Sequence, residues 1–355
     1  MSESTSIARE EPATSHQRRG QLWSRLVARK ELGVFLALVV MCVFLSLATS
    51  NFLSSLNLLN VGRQVSLLGI MAVGMTFVLI SGEIDLSVGS TYALSGLSSG
   101  MLIVMGWGLL PAVAAGLVIG VCIGLVNGVL STYGRLPSLI ATLGMMSIVR
   151  GLALLMTGGQ PVTVNTRNGA IPEVLDRFEF MGQGYLFGIV PMQLVFFIVI
   201  AVIGWLLLSG TAFGFRVFAV GGSAKAARVS GINAERVKLW SFVIMGVLAA
   251  LAGILSMAFL PSGQAGRTGL GLELDVIAAV VVGGASLSGG VGTVLGTVLG
   301  VLIIGVLRNG LVLLGARPGQ GKTRLGLQVL VEGMRRGRAC ALFTLEYTDE
   351  QARQR

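Results

Sequence analysis

The sequence predicts an all-α fold, a polytopic bundle of transmembrane helices. Of its 355 residues, 54% are hydrophobic and 12% are charged, a composition typical of membrane proteins. Apolar stretches follow one another almost without a break from residue 32 to residue 310. The 51 glycines are a third indication, because close backbone approach holds helices together in lipid. These features exclude a soluble enzyme.

The apolar stretches predict nine membrane spans. A helix needs about 20 apolar residues to cross a hydrocarbon core of roughly 30 Å. On this measure the spans lie near residues 32–49, 64–80, 87–105, 109–131, 138–157, 191–209, 239–260, 274–287 and 288–307. The third and eighth are short or interrupted by glycine and serine, a pattern that broken or re-entrant helices share.

The loop charges predict the orientation of the bundle. Loop 210–238 is strongly basic and loop 158–190 holds more acids than bases, so the first should face the cytoplasm and the second the outside. Residues 1–31 then form a cytoplasmic N-terminal segment ahead of an uncleaved first helix, not a signal peptide. Nine crossings place the residues after Gly310 outside.

Charge and cysteine usage exclude several other classes. The net charge of +10 is spread along the chain and forms no basic face for nucleic acid. Cys42, Cys122 and Cys340 are scattered, which gives neither a disulfide framework nor metal-ligand spacing. We therefore predict no metal, no cofactor and no catalytic residue, and membrane lipid as the surroundings.

Two series of glycines recur every fourth residue and place a small-residue strip on one helix face. Such strips allow close packing of a neighbouring helix or cover a polar group such as Asn127. By themselves they indicate a compact bundle and no particular solute. The series are Gly116, Gly120, Gly124 and Gly128, and Gly292, Gly296 and Gly300.

Four acids at the membrane edge need an explanation, because ionisable groups are costly there. Glu83 and Asp85 open span three, and Glu273 and Asp275 open span eight on the opposite side, as an inverted repeat would place them. The alternative is chance recurrence at helix N-termini, where carboxylates favour the helix dipole. The candidate residues for a solute pathway are Glu83, Asp85, Asn127 and Asp275.

Three motifs carry a family resemblance over roughly residues 30 to 314. They are LISGEIDLSVGS from Leu79, AVGGSAKAARVSGINAERVK from Ala219 and ELDVIAAVVVGGASLSGGVGT from Glu273. Together they resemble the inner-membrane permease of bacterial ABC importers for ribose, xylose, arabinose and galactose-type sugars. That family usually has a tenth helix after the segment that reads VLRNGLVLLG here, and this sequence departs from the pattern there.

The resemblance implies a multi-pass permease of the bacterial inner membrane for a monosaccharide or a similar small polar solute. It implies three partners: a second permease subunit forming a homodimer, a separate cytoplasmic ABC ATPase, and a periplasmic sugar-binding protein. A short helix near Ser223 to Ser230 would press into a groove of the ATPase. The coupling residues would be Gly221, Gly222, Lys225, Arg228 and Gly231. On the residue types alone, a merely solvated basic loop remains an alternative.

Residues 311–355 look like a different protein. The run ARPGQGKT from Ala316 matches a phosphate-binding loop, with a strand-like run Leu311 to Leu314 before it. The stretch resembles the start of a RecA-like ATPase of the replicative-helicase kind. That resemblance implies nucleotide-binding roles for Gly319, Gly321, Lys322, Thr323 and Glu346. We expect a truncated α/β fragment, not an independent domain, because so short a stretch buries no core of its own.

Other functions remain open at this stage. A membrane-anchored P-loop ATPase or helicase fragment is one alternative, and an inactive chimeric product is another. A branched-chain amino-acid permease is a related alternative within the transport class. The number of matching motifs favours the sugar permease subunit.

Overall fold

A computed structural model describes the backbone of residues 30–314, and this part of the chain is almost entirely helical. The predicted all-α class is confirmed for this part. The helices are α1 (Lys30–Ala48), α2 (Ser55–Ile80), α3 (Val88–Val104), α4 (Leu109–Thr132), α5 (Ser138–Thr157), α6 (Pro172–Gln183), α7 (Met192–Gly210), α8 (Ala212–Gly222), α9 (Ala224–Val229), α10 (Ala234–Phe259), α11 (Leu272–Val282) and α12 (Val294–Leu314). A 3-10 turn spans Thr166–Asn168.

Four two-residue strands form two antiparallel pairs. They are β1 (Val162–Thr163), β2 (Tyr185–Leu186), β3 (Val190–Pro191) and β4 (Ser262–Gly263). Strand β1 pairs with β4, and β2 pairs with β3. The first pair joins loop 158–190 to the segment directly after α10.

Seven of the described helices are long and apolar enough to cross a membrane. Helix α3, with 17 residues, and α11, with 11, are shorter, as expected for the two interrupted spans. Some predicted bounds were wrong. Span two begins at Ser55 instead of residue 64, and residues 283–293 lie outside the helices, because glycines there break both predicted spans. Loop 158–190 also contains α6.

Helices α2 and α10 form the core of the bundle. Each has 26 residues, and most of them are buried. Helix α10 packs against α2, α3 and α4. Helices α1, α4, α5 and α7 present large apolar side chains on the outer surface instead, which is the arrangement that lipid as the solvent favours.

The glycine strips pack as predicted except at Gly292, which lies before the start of α12 and faces the Ile80 side chain. A Cβ atom at Gly124 would lie 2.5 Å from the Phe242 carbonyl oxygen of α10, and one at Gly120 would overlap the Gly246 backbone. In α12, Gly296 and Gly300 face the α11 backbone in the same way. Backbone contact this close leaves no room for a side chain, so glycine is required at these positions.

The two charged loops lie at opposite ends of α10. Loop 158–190 reaches its C-terminal end through the β1–β4 pair, and α8 and α9 lie next to its N-terminal end. Since α10 is about 39 Å long at 1.5 Å per residue, these ends can lie on the two faces of a membrane. We call the end with loop 210–238 the basic end and the end with loop 158–190 the acidic end.

The interrupted helices run in opposite directions. Helix α3 starts after the turn 81–87 on the side of the basic end, where Ile80 accepts a hydrogen bond from the Gly290 amide. Helix α11 starts after loop 264–271, on the side of the acidic end. Each is followed by a glycine-strip helix, α4 or α12, that folds back along it. This is the placement that an inverted repeat requires.

The predicted strand-like run Leu311 to Leu314 was wrong. These residues continue α12 to Leu314, because the apolar pattern of the helix does not stop at Gly310. The predicted N-terminal segment lies outside the described residues, apart from its last two positions. The predicted phosphate loop with Gly319, Gly321, Lys322 and Thr323, together with Glu346, also lies outside them.

Candidate functional site

A buried polar network marks the start of α3. The Asp85 Oδ1 atom accepts hydrogen bonds from the Ser87 amide (2.8 Å) and the Ser87 hydroxyl (2.7 Å). Asn127 of α4 donates through Nδ2 to the Ser87 Oγ (2.8 Å) and, more weakly, to Asp85 Oδ1 (3.4 Å). Asp85 and Asn127 are fully buried. The structure therefore brings together two of the four predicted pathway residues.

The same network lies directly before α3, whose N-cap residue is Ser87. A carboxylate at a helix N-terminus satisfies free amides and favours the positive end of the helix dipole. The turn before it is held from α5, where the Ser138 and Thr142 hydroxyls accept from the Ile84 and Leu86 amides. Asn127 Oδ1 is buried without a hydrogen-bond partner among the described residues, which leaves one acceptor unused.

Glu83 forms an ion pair with Lys238 of α10. The distance from Lys238 Nζ to Glu83 Oε1 is 2.5 Å. The Glu83 side chain is 12% exposed, and the Lys238 side chain is 21% exposed. When an acid and a base are removed from water in this way, loss of either one leaves an unpaired buried charge, which is strongly destabilising. The pair fastens the turn before α3 to the first residues of α10.

Asp275 lies apart from these groups. It forms an ion pair with Arg308 of α12, near the end of that helix where Asn57 and Asn309 exchange hydrogen bonds. Each of Asp85 and Asp275 thus contacts a side chain of the helix that follows its interrupted helix, by a weak hydrogen bond in the first case and an ion pair in the second. The structure does not place the four predicted residues in one cluster.

Sequence reasoning missed Arg150, which lies inside the fifth span. Its Nη1 donates to the carbonyl oxygens of Ala265 (2.8 Å) and Thr268 (2.5 Å) in loop 264–271. Guanidinium groups at membrane depth are costly and usually carry a function. A lone arginine in an apolar span was therefore the available signal.

Arg150 and Glu273 flank the place where the two interrupted helices meet. The backbones of Gly89, at the start of α3, and Gly269, just before α11, are in direct contact. A Cβ at Gly89 would lie 2.5 Å from Glu273 Oε2. That oxygen is buried and has no hydrogen-bond partner within the described part of the chain. It can accept a hydrogen bond from a donor that enters this junction.

A cavity of about 210 Å³ adjoins this junction. Its walls combine an aromatic ring with hydroxyl groups, a mixture that suits a small polar solute. The Tyr92 hydroxyl faces Ser256, and the Thr268 Oγ1 accepts from the Gln264 amide. The lining residues are Tyr92, Gly96, Leu97, Gly253, Ser256, Met257, Leu260, Ser262, Gly263, Thr268 and Gly269.

The basic end carries the predicted short helix as α9. The Ser223 Oγ caps it by accepting from the Ala226 amide (3.2 Å), and Gly231, with φ +81°, ends the turn behind it. Lys225 and Arg228 are exposed on its surface. The helix predicted near Ser223 to Ser230 is thereby confirmed.

The two glycines predicted to take part in coupling, Gly221 and Gly222, differ in their surroundings. A Cβ at Gly221 would overlap the Ile80 carbonyl oxygen, so this glycine packs α8 against the end of α2. Gly222 is exposed and has open space around it. Gly221 is therefore required by the fold, whereas the fold alone does not require Gly222.

A family of transport proteins matches residues 57–332, well over half of the chain. Its description is branched-chain amino acid transport system, permease component. The chain belongs to this family. This permease is a multi-pass membrane protein, in keeping with its seven long apolar helices.

Three curated relatives illustrate the range of similarity. The permease is 45% identical to the ribose import permease protein RbsC of Bacillus subtilis over 303 residues, covering 85% of this chain and 91% of that protein. It is 42% identical to RbsC of Escherichia coli K12 over 280 residues, or 79% and 85% of the two chains. The L-arabinose permease protein AraH of Azospirillum brasilense is 37% identical over 299 residues, with 83% of each chain covered.

No solved structure matches the permease. The family match continues to residue 332, across the predicted phosphate loop. The interpretation of residues 311–355 as a helicase-like fragment receives no support from these comparisons.

Proposed function

We propose that this chain is the membrane-spanning permease subunit of a bacterial inner-membrane ABC importer for ribose or a closely related monosaccharide. The observation that carries the proposal is the similarity to RbsC of Bacillus subtilis at 45% identity over 91% of that protein. A separate cytoplasmic ATPase supplies the energy, and a periplasmic binding protein delivers the sugar. The permease itself binds and moves the solute and catalyses no reaction.

The site geometry supports a polar route along the two interrupted helices. The route runs from the cavity at Tyr92 and Thr268, past Glu273, towards Asp85 and Asn127 at the start of α3. Sugar hydroxyls both donate and accept hydrogen bonds, so they match the free acceptors of Glu273 and Asn127. In this proposal Glu83 and Asp275 position α3 and α11 through Lys238 and Arg308.

Helices α8 and α9 form the proposed contact with the ATPase. Val229 at the end of α9 is 86% exposed, and Lys225 and Arg228 flank it with positive charge. A short helix with an apolar tip and a basic flank fits a groove in a partner protein. Gly221, at the end of α8, packs on the end of α2, directly before the turn that precedes α3. A displacement of α9 by the ATPase would therefore be transmitted through α8 to that turn.

A second copy of the chain is the proposed partner within the membrane. Helix α5 carries Gly144 and Gly151 with open space at both positions, and Ser147 is exposed between them. By contrast, the glycines of α4 are all filled by neighbouring helices. An unfilled strip of small residues supports close packing of another helix at α5.

Radiolabelled uptake tests the proposed solute. The permease is produced with its own ATPase and binding protein in a bacterium that lacks ribose import. We expect saturable, energy-dependent accumulation of labelled ribose that unlabelled ribose abolishes and unlabelled leucine leaves unchanged. L-arabinose is tested as a competing pentose, because the AraH relative is named for it. Accumulation of leucine with no uptake of either sugar would overturn the assignment, whereas uptake of L-arabinose without ribose would make arabinose the solute.

A further inference from the structure

A second cavity, of about 480 Å³, lies at the basic end between α8, the turn after α9 and the first residues of α10. It is separate from the proposed sugar route. The lining residues are Phe213, Arg216, Ser230, Gly231, Ile232, Asn233, Arg236, Val237 and Trp240. One side of this cavity is basic and polar, and the other is aromatic and aliphatic.

The basic side carries two arginines without an acidic partner. Within residues 31–313 neither Arg216 nor Arg236 forms an ion pair, and the nearest acid in sequence, Glu235, is bound by Arg228 at 2.6 Å. No acidic side chain lines the cavity. Both arginines are exposed and line the same cavity. Two guanidinium groups without an acidic lining residue favour an anion there, and phosphate oxygens suit guanidinium groups.

The apolar side has the features of a membrane interface. Trp240 is 54% exposed and lies in the second turn of the long apolar helix α10, and Phe213 of α8 lines the same cavity. Tryptophan is enriched where the headgroups of a bilayer meet its hydrocarbon core. The ligand should therefore be an amphiphile, with an anionic head at the arginines and an apolar chain along Trp240.

We propose that this cavity binds the phosphate headgroup of an anionic phospholipid of the cytoplasmic leaflet. Phosphatidylglycerol has the required single negative charge and acyl chains, and basic pockets at the cytoplasmic side of transmembrane helices suit such headgroups. Because Ser230 and Gly231 line the cavity, a bound lipid also fixes the C-terminal end of α9. The site does not depend on which solute the permease carries.

An acidic surface of the ATPase is the competing occupant, and the position of Trp240 favours lipid. Trp240 lies more than a turn inside the apolar helix α10 and is exposed on its surface, a position that suits a tryptophan at the headgroup boundary. Protein contact at this end should instead involve the exposed residues of α9, such as Lys225, which does not line the cavity.

Native mass spectrometry of the purified permease tests the site. The protein is exchanged into detergent with equal amounts of phosphatidylglycerol and phosphatidylcholine, and retained lipid is counted. We expect selective retention of phosphatidylglycerol. The double variant Arg216→Gln/Arg236→Gln should weaken it about thirtyfold, since each basic residue near a lipid surface contributes somewhat less than a factor of ten. Trp240→Ala should weaken both lipids.

The matched control is Lys225→Gln/Arg135→Gln, which removes the same charge at the same end but outside the cavity and leaves Glu235 paired with Arg228. It should retain phosphatidylglycerol at the wild-type level. Thermal unfolding of each variant separates lost binding from lost folding. Equal retention by both double variants overturns the proposal. So does a folded Arg216→Gln/Arg236→Gln variant that keeps the lipid and loses its association with the ATPase, because the arginines then serve that partner.

Discussion

The acids that the sequence singles out are occupied mainly by partners within the protein. Glu83 binds Lys238, Asp275 binds Arg308, and Asp85 accepts hydrogen bonds from Ser87 and Asn127. A charge at membrane depth is costly without such a partner. These residues therefore stabilise the starts of α3 and α11 before they can serve a solute, and the free acceptors are Glu273 Oε2 and Asn127 Oδ1.

Breaking the ion pair between Glu83 and Lys238 should destabilise the permease. Glu83→Gln leaves Lys238 largely buried beside a neutral partner, and the loss should approach the roughly 3–5 kcal/mol of a fully buried pair. We expect a lower midpoint of thermal unfolding in detergent. The exchange Glu83→Lys/Lys238→Glu should restore most of the loss. If the single variant unfolds at the wild-type temperature, the pair does not fasten the turn before α3.

Whether a glycine allows two helices to pack closely depends on the helix face on which it lies. Gly96 of α3 and Gly253 of α10 face one another, so that a Cβ at Gly96 would lie 2.5 Å from the Gly253 carbonyl oxygen. Gly33 of α1, in contrast, has open space around it. Backbone contact replaces the hydrophobic driving force that lipid cannot supply. The same residue type is thus indispensable in one helix and replaceable in another.

Gly253→Ala should reduce folding of the permease, because its methyl group would overlap the Tyr92 carbonyl oxygen. Overpacking typically costs about 1–3 kcal/mol, and backbone that cannot move aside raises the cost. The control Gly33→Ala should be neutral or slightly stabilising, since alanine has the higher helix propensity. Membrane abundance and thermal unfolding measure both. Similar behaviour of the two variants would contradict the proposed contact between α3 and α10.

Gly222→Trp should uncouple ATP hydrolysis from uptake without affecting the fold. Gly222 is exposed with open space around it, so a bulky side chain obstructs only a partner at α9. We expect uptake to fall about tenfold or more at normal membrane abundance, a loss of about 1.4 kcal/mol in coupling. Gly210→Trp, at an equally open site at the end of α7, should keep uptake. Normal uptake by Gly222→Trp would show that loop 210–238 serves only orientation.

The whole molecule is organised by two interrupted helices that start from opposite sides of the bundle and meet at Gly89 and Gly269. Each is followed by a helix that folds back along it, and each start is held by a polar residue of that following helix, Asn127 or Arg308. In transporters that are built from inverted repeats, the solute site lies where the two units meet, near the middle of the membrane. Arg150 and Glu273 lie at this meeting point.

The two ends of the bundle should label from opposite sides of the membrane. Single cysteines replace the exposed residues Arg167 and Ala226 in a background without native cysteines. An impermeant thiol reagent should reach the first from outside intact cells and the second only after the cells are opened. Since basic loops remain in the cytoplasm, labelling of both cysteines from outside would refute the proposed topology.

Lys322→Ala should leave sugar uptake unchanged. Helix α12 runs from the basic end to the acidic end and reaches Leu314. The prediction for Lys322 rests on the nine predicted crossings, which place the residues after Gly310 on the side without ATP. Uptake and nucleotide binding by the purified chain measure the effect. Magnesium-dependent ATP binding that Lys322→Ala abolishes would instead support the membrane-anchored ATPase.

The sequence by itself determined the features that depend on local pattern. Hydropathy predicted the helical bundle, the glycine repeats predicted the close faces of α4 and α12, and the four-residue spacing follows from helix geometry. The motif around Ser223 predicted α9. Each of these signals lies within about 25 consecutive residues, so no knowledge of the tertiary fold was needed.

Only the tertiary structure decided which distant residues meet. Asp85 meets Asn127, Glu83 meets Lys238, and Arg150 holds loop 264–271, more than 100 positions further along the chain. No local pattern encodes these partners, because the pairing of polar groups in lipid is settled by which helices pack together. For the same reason, the sequence could identify ionisable residues that are unfavourable in a membrane, but it could not show which of them lack a partner within the protein and can bind a solute.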